Sequence, residues 1–288
     1  MVMLRFLVPT DFSANAQNAM RTALQLARCY SAEVIMMHAM PRPLVPAISP
    51  DEVYSSVYET EQTELQEKLR TECQQLYVEL GLRTGEVPRQ IEVLSTPVSD
   101  AILQAIARNS ADLVVMGSSG LSGIKRLLFG SNTQEIIGLS PVPVLVVPNQ
   151  YVFGGFKRIT VVIRAKNFGK RTGLDLLARL GRTFSATLYF LVIPEDDGEQ
   201  APLLSELLTS RELQEPFREL HHEISTIRKT DKAAALEEHL TNTNTDLLVW
   251  LPKRKGLWTE SLSEDFAQEV ASEAKKPLLI IPHVSDEA

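Results

Sequence analysis

Cysteine is nearly missing from this 288-residue sequence, which has only Cys29 and Cys73. Both sit in helical patterns without metal-like spacing. They are read as buried or idle thiols, and neither a disulfide framework nor a thiolate metal site is expected. Long hydrophobic runs are missing as well: no stretch approaches the ~20 apolar residues that cross a bilayer, so no membrane partner is expected. Positive charge is in deficit, with 29 Lys and Arg against 36 Asp and Glu and a formal net charge of -7. That balance argues against a general nucleic-acid binder. Two phosphate motifs are also absent. There is no G-x-x-x-x-G-K-S/T, so a P-loop NTPase is rejected, and no G-x-G-x-x-G follows the first strand, which removes a Rossmann dehydrogenase. The opening residues, MVMLRFLVPTDF, form a short apolar patch that meets a polar, helix-starting segment at once. They are read as a first strand rather than a signal peptide, and a cytoplasmic protein is expected.

What is present is ordinary globular material, 44% hydrophobic and 23% charged, with ample core for one large or two small domains. The stretch from Asp112 to Pro148 organises it. An apolar, β-branched run, Leu113 to Met116, reads as a buried strand. Gly117 stops it, Gly120, Gly123 and Gly130 follow, and Ser131 opens a short helical segment that ends near Gly138. A second buried strand is expected from Val142 to Val147. Glycines in such a loop let backbone approach a ligand closely, and a hydroxyl at a helix start, with free N–H groups behind it, suits a phosphate. The loop carries Lys125 and Arg126 and no acid between Gly117 and Ser131.

The rest of the chain alternates strand and helix. Strands are expected at Phe6–Val8, Val34–Met40 and Ile91–Leu94. The helix after the first strand has Ser13 as N-cap and an apolar face at Ala16, Ala19, Met20, Ala23, Leu24 and Ala27. A long amphipathic segment runs from about Asp51 to Leu80. Thr96-Pro97 starts another helix, with Pro97 at its first position. This alternation implies a parallel sheet with helices on both faces. Ligands of such sheets bind outside the carboxyl ends of the strands, so Asp11, Ala39, Met40 and Gly117 should converge on one crevice.

The second half repeats the first. Strands are expected at Thr160–Ile163 and Thr187–Val192, helical faces around 174–180 and 203–220. Set against Asp112 to Pro148 at an offset of 134, the segment Asp246 to Pro282 aligns without a gap and coincides at nine positions, where ordinary composition gives about two. The expected organisation is α/β, two tandem doubly wound parallel-sheet domains: 1–148, a linker at 149–156, and 157–288.

The spacing Gly117, two residues, Gly120, nine residues, Gly130-Ser131 resembles the nucleotide signature of the universal stress protein family, G-x2-G-x9-G-S/T, at every specified position. The resemblance covers the first half and, more weakly, the second. It implies the five-stranded fold that this family shares with adenine nucleotide α-hydrolases, and binding of an adenine nucleotide, usually ATP, with ADP or AMP as alternatives and Mg or Mn across the phosphates. Pro9, Thr10 and Asp11 would meet the adenine and ribose end, with the Ala39 backbone against adenine. Met116 and Gly117 would line the ribose, and Gly120, Gly130, Ser131 and Asn132 would hold the phosphates. Family resemblance also implies pairing through the fifth strand, here within one chain as a pseudo-dimer or between chains as a homodimer. The role implied is a nucleotide-dependent stress sensor or scaffold. The rival is a slow ATPase or another adenine-nucleotide-processing enzyme of the same superfamily. No general base or nucleophile pair accompanies Gly117 to Ser131, and Val8 to Ser13 has no glycine-rich phosphate loop. Asp11 also has a plain reading as a helix cap, and His38 as a core histidine at a strand end.

The second half is expected to bind no ATP. Leu251, Arg254 and Glu264 stand opposite Gly117, Gly120 and Gly130, and Asp265 opposite Ser131. The place of Asp11 is taken by Arg164 or Ala165. Lys253, Arg254 and Lys255 are the best argument for a different anion there.

Overall fold

The computed structural model describes residues 3–41, 51–83, 85–118, 130–163, 173–193, 211–227, 232–251 and 275–282. By contacts the chain divides into two compact units, Met1–Met116 and Gly117–Ala288. No helix among the described residues is long and apolar enough to cross a membrane.

The first unit contains β1 (Arg5–Pro9), α1 (Ala14–Tyr30), β2 (Glu33–Ala39), α2 (Asp51–Glu79), β3 (Arg89–Leu94) and α3 (Val98–Asn109). It also holds β4 (Leu113–Gly117) up to Met116. Its strands run in the order β3-β2-β1-β4, every pair parallel. Phe6, Leu7 and Val8, Val34 to Met37, and Leu113 to Met116 are all buried, the continuous apolar pattern of strands covered on both faces. The chain leaves β1 toward β2 on one side and returns to β4 on the other, so strand order reverses beside β1. Ser13 caps α1 as expected, its side chain accepting from Ala16 N. Pro97 differs: it is the N-cap of α3, with Val98 first in the helix. Its ψ of 150° is extended rather than helical, so the helix begins one residue later.

The second unit contains α4 (Ser131–Leu139), β5 (Val144–Val147), β6 (Arg158–Ile163), α5 (Leu174–Phe184) and β7 (Thr187–Val192). It continues with α6 (Arg211–Phe217), β8 (His222–Thr226), α7 (Lys232–Asn242), β9 (Leu247–Trp250) and β10 (Leu278–Ile280). Its strand order is β8-β7-β6-β9-β10-β5. The pairs β8–β7, β7–β6, β6–β9 and β9–β10 are parallel; β10 and β5 are antiparallel, with Leu278 opposite Val146, Leu279 opposite Leu145 and Ile280 opposite Val144. These two short apolar strands thus cover each other, removing two open edges. β5 starts at Val144 rather than Val142, because Ser140 Oγ donates to Val142 O and accepts from Val142 N, which ties Val142 into the preceding turn. Within residues 149–156, Phe153 and Phe156 pack with Phe184, their rings edge to face at 5.3–5.9 Å, while Val152 stays exposed.

The same local device occurs in both units. In the first, Asp112 accepts from Arg5 N at 2.8 Å, Asp112 N donates to Arg5 O, and the Arg5 guanidinium donates to the carbonyl of Asn109, the last residue of α3. In the second, Asp246 accepts from Arg158 N at 3.0 Å, Asp246 N donates to Arg158 O, and Arg158 Nε donates to Asn244 O. The turns after α1 and α5 also match. Ser31 and Ser185 both take φ 50°, and the next amide bonds back to Ala27 O and Gly181 O respectively.

Candidate functional site

In the first unit, Pro9 ends β1 and Ala39 ends β2, two adjacent parallel strands in which Pro9 lies opposite Met37. Thr10 N donates to Met37 O at 2.8 Å, and Thr10 O accepts from His38 Nδ1 at 2.8 Å. Since a carbonyl only accepts, the His38 proton sits on Nδ1. The structure therefore brings Thr10, His38 and Ala39 together at the carboxyl ends of β1 and β2. Thr10 is buried, and its Oγ1 accepts from Phe12 N at 3.0 Å. Asp11 is exposed, and Oδ1 accepts from Ser13 N at 3.0 Å, a turn just ahead of α1; the helix cap itself is Ser13, not Asp11. Met116 is buried in β4, which pairs with β1 on the side away from β2, Leu7 opposite Val114. His38 is half-buried and packs on the Phe12 ring with 4.6 Å between centroids, the strand-end histidine expected.

In the second unit, Gly117 and Ser118 close β4 and Gly130 to Asn132 open α4. Ser118 N donates to Val147 O at 2.9 Å. Thr133 Oγ1 donates to Gly117 O at 3.3 Å, which ties the strand end to the helix start. Sequence reasoning missed this residue, although a threonine in a first helical turn is a signal for such backbone bonding. Gly130, rather than Ser131, is the N-cap, and it supplies no side-chain cap. Gln134 N donates to Gly130 O, so the N–H groups of Ser131, Asn132 and Thr133 have no acceptor within the helix. Ser131 and Asn132 are exposed. Such a helix start suits an anion. Gly130 has φ -67° and ψ 158°, an extended conformation open to any residue, so left-handed backbone is not why a glycine stands there.

Gly120, Gly123, Lys125 and Arg126 lie outside the described residues. So do Arg164, Ala165, Lys253, Arg254, Lys255, Glu264 and Asp265. Leu251, opposite Gly117 in the repeat, is described and buried just after β9. Among the described residues no group of three or more His, Cys, Asp or Glu is placed to hold a metal ion.

Parallel strands with helices between them define an α/β protein. Residues 3–148 match the model of the universal stress protein family. The chain belongs to that family. A Thermus aquaticus relative, "Universal stress protein in QAH/OAS sulfhydrylase 3'region", is 33% identical over 145 residues, 49% of this chain and 96% of its own. The stress response protein NhaX of Bacillus subtilis is 29% identical over 162 residues, 50% of this chain and 96% of its own. Each of these relatives is about half as long as this chain. The crystal structure of a universal stress protein from Archaeoglobus fulgidus resembles nearly the whole of it, covering 98% of this chain and 97% of its own with a TM-score of 0.69 at 17% identity. That likeness extends the shared fold across both halves.

Proposed function

We propose that this chain binds one adenine nucleotide, ATP foremost, through its first half, and serves as a nucleotide-dependent sensor or scaffold in a stress response. One observation carries the reading. The spacing Gly117-x2-Gly120-x9-Gly130-Ser131 links the end of a buried parallel strand to a helix whose first N–H groups are uncapped by any side chain. Phosphates go to Gly120, Gly130, Ser131 and Asn132, with Mg or Mn between them. The ribose goes to Met116 and Gly117, and the base and ribose end to Pro9, Thr10, Asp11 and the Ala39 backbone. Asp11 suits that end because an exposed carboxylate accepts from ribose hydroxyls or the adenine amino group.

The second half is, on this reading, a copy of the first that has kept its framework. The matched Arg–Asp devices and the matched strand orders, β3-β2-β1-β4 and β8-β7-β6-β9, support the duplication. The antiparallel β5–β10 pair supports an internal pseudo-dimer.

Calorimetry with ATP and Mg on Gly130→Glu tests the site. The backbone at Gly130 admits any L residue, so the substitution adds no left-handed strain, and a circular dichroism spectrum checks the variant's fold. A glutamate there blocks close approach and adds a negative charge, and an affinity loss of at least about a hundredfold is expected. Wild-type affinity in Gly130→Glu overturns the assignment.

A further inference from the structure

We propose that Phe12 is a positioning residue for the base-and-ribose end of the nucleotide site; this inference rests on the nucleotide reading above. Phe12 has φ 63°, the left-handed region that a bulky L residue enters only when its surroundings enforce it. Three contacts enforce it here. Phe12 N donates to Thr10 Oγ1 at 3.0 Å. The ring packs against the His38 imidazole, at 4.6 Å between centroids and 42° between planes. The Lys68 ammonium, from the middle of α2, stands 4.0 Å from the ring centroid, a cation–π contact. His38 also donates to Thr10 O, so one imidazole holds the residues on both sides of Asp11.

The consequence falls on Asp11. A left-handed residue directly after it turns the chain sharply out of β1 into α1. That turn brings Ser13 N to 3.0 Å from Asp11 Oδ1 while the Asp11 side chain stays exposed. Phe12 is occupied by His38 and Lys68, so it acts by holding this turn rather than as a platform on which a base stacks. Lys68 links the turn to α2, so displacement of α2 loosens Asp11.

The test is calorimetry on Phe12→Ala and Lys68→Met with two probes, Mg-ATP and Mg-tripolyphosphate, which lacks base and ribose. Amide hydrogen exchange runs alongside. Phe12→Ala is expected to lose about tenfold in ATP affinity, the scale of the left-handed penalty once its clamp is gone. Lys68→Met is expected to lose about threefold, the scale of an exposed cation–π contact. Tripolyphosphate affinity should hold in both. The Ser13 amide should exchange faster in both variants, while Ala19 and Leu24 in α1 keep wild-type protection. Wild-type ATP affinity in Phe12→Ala, an equal loss for tripolyphosphate, or unchanged Ser13 exchange each overturns the inference alone. Wild-type protein that binds no ATP overturns the nucleotide reading and this inference with it.

Discussion

The two halves of this chain show the same strand order and matched local devices and differ in sequence where the proposed nucleotide site lies. Asp112 and Asp246 each fasten the start of one strand to the start of another, with an arginine reaching the carbonyl of an asparagine near the end of the preceding helix. The turns at Ser31 and Ser185 are built alike. Yet Gly117, Gly120, Gly130 and Ser131 stand opposite Leu251, Arg254, Glu264 and Asp265. A fold is held by backbone pairing and burial, which tolerate loop exchange; an anion site depends on close backbone approach and the sign of local charge, which do not. On the proposed duplication, a unit loses its ligand without losing its architecture.

The sharpest way to break the comparison is to count nucleotides. One ATP per chain is expected. A carboxylate about 4 Å from a phosphate charge costs on the order of 4 kcal/mol at an effective dielectric of about 20, roughly a thousandfold in affinity. Titration to two equivalent sites, or a site that survives Gly130→Glu and vanishes on changing the second half, ends the proposed asymmetry.

Helix starts give a smaller effect. Ser13 caps α1 through its side chain, whereas Gly173 caps α5 with φ 108° and no side-chain bond. A Cβ at Gly173 would lie 2.2 Å from Pro143 Cγ, a ring atom with little freedom to move. Gly173→Ala is therefore expected to cost about 4 kcal/mol, combining a strained φ with overpacking. Ser13→Ala should cost about 1 kcal/mol, the worth of a cap. Urea unfolding reads both; equal costs would show that the two starts are interchangeable.

The strand fasteners should differ least. Asp246 accepts from Lys157 N, Arg158 N and Arg158 Nη2. Asp112 accepts from Arg5 N, while the Arg5 guanidinium pairs instead with Glu33 at 3.3 Å. Asp246→Ala is expected to cost about 2–3 kcal/mol and Asp112→Ala about 1 kcal/mol, with the arginine contribution to Asp246 screened by its partial exposure. An Asp112→Ala variant that unfolds more readily than Asp246→Ala would reverse this ranking.

The sequence by itself determined the parallel α/β class, the central strands and the glycine spacing. Each is a local pattern: an apolar run reports burial on both faces, and Ser13 signals a cap by its own chemistry. It also pointed to the proposed repeat, since Asp246 to Pro282 aligns with Asp112 to Pro148 without a gap. Only the tertiary structure decided that β5 and β10 pair antiparallel, because nothing in either apolar run names its partner. It also revealed β8, whose sequence HEIST is largely exposed and becomes a strand through its parallel pairing with β7. Ser140 makes β5 begin late by tying Val142 into a turn, a bond that the apolar run does not announce. Phe12 reads locally as an ordinary residue before a helix. Its left-handed turn is held by His38 and by Lys68, 26 and 56 residues further along. A conformation set by partners so far away in the chain leaves no periodic trace in the sequence, because its physical cause exists only once β1, β2 and α2 are packed together.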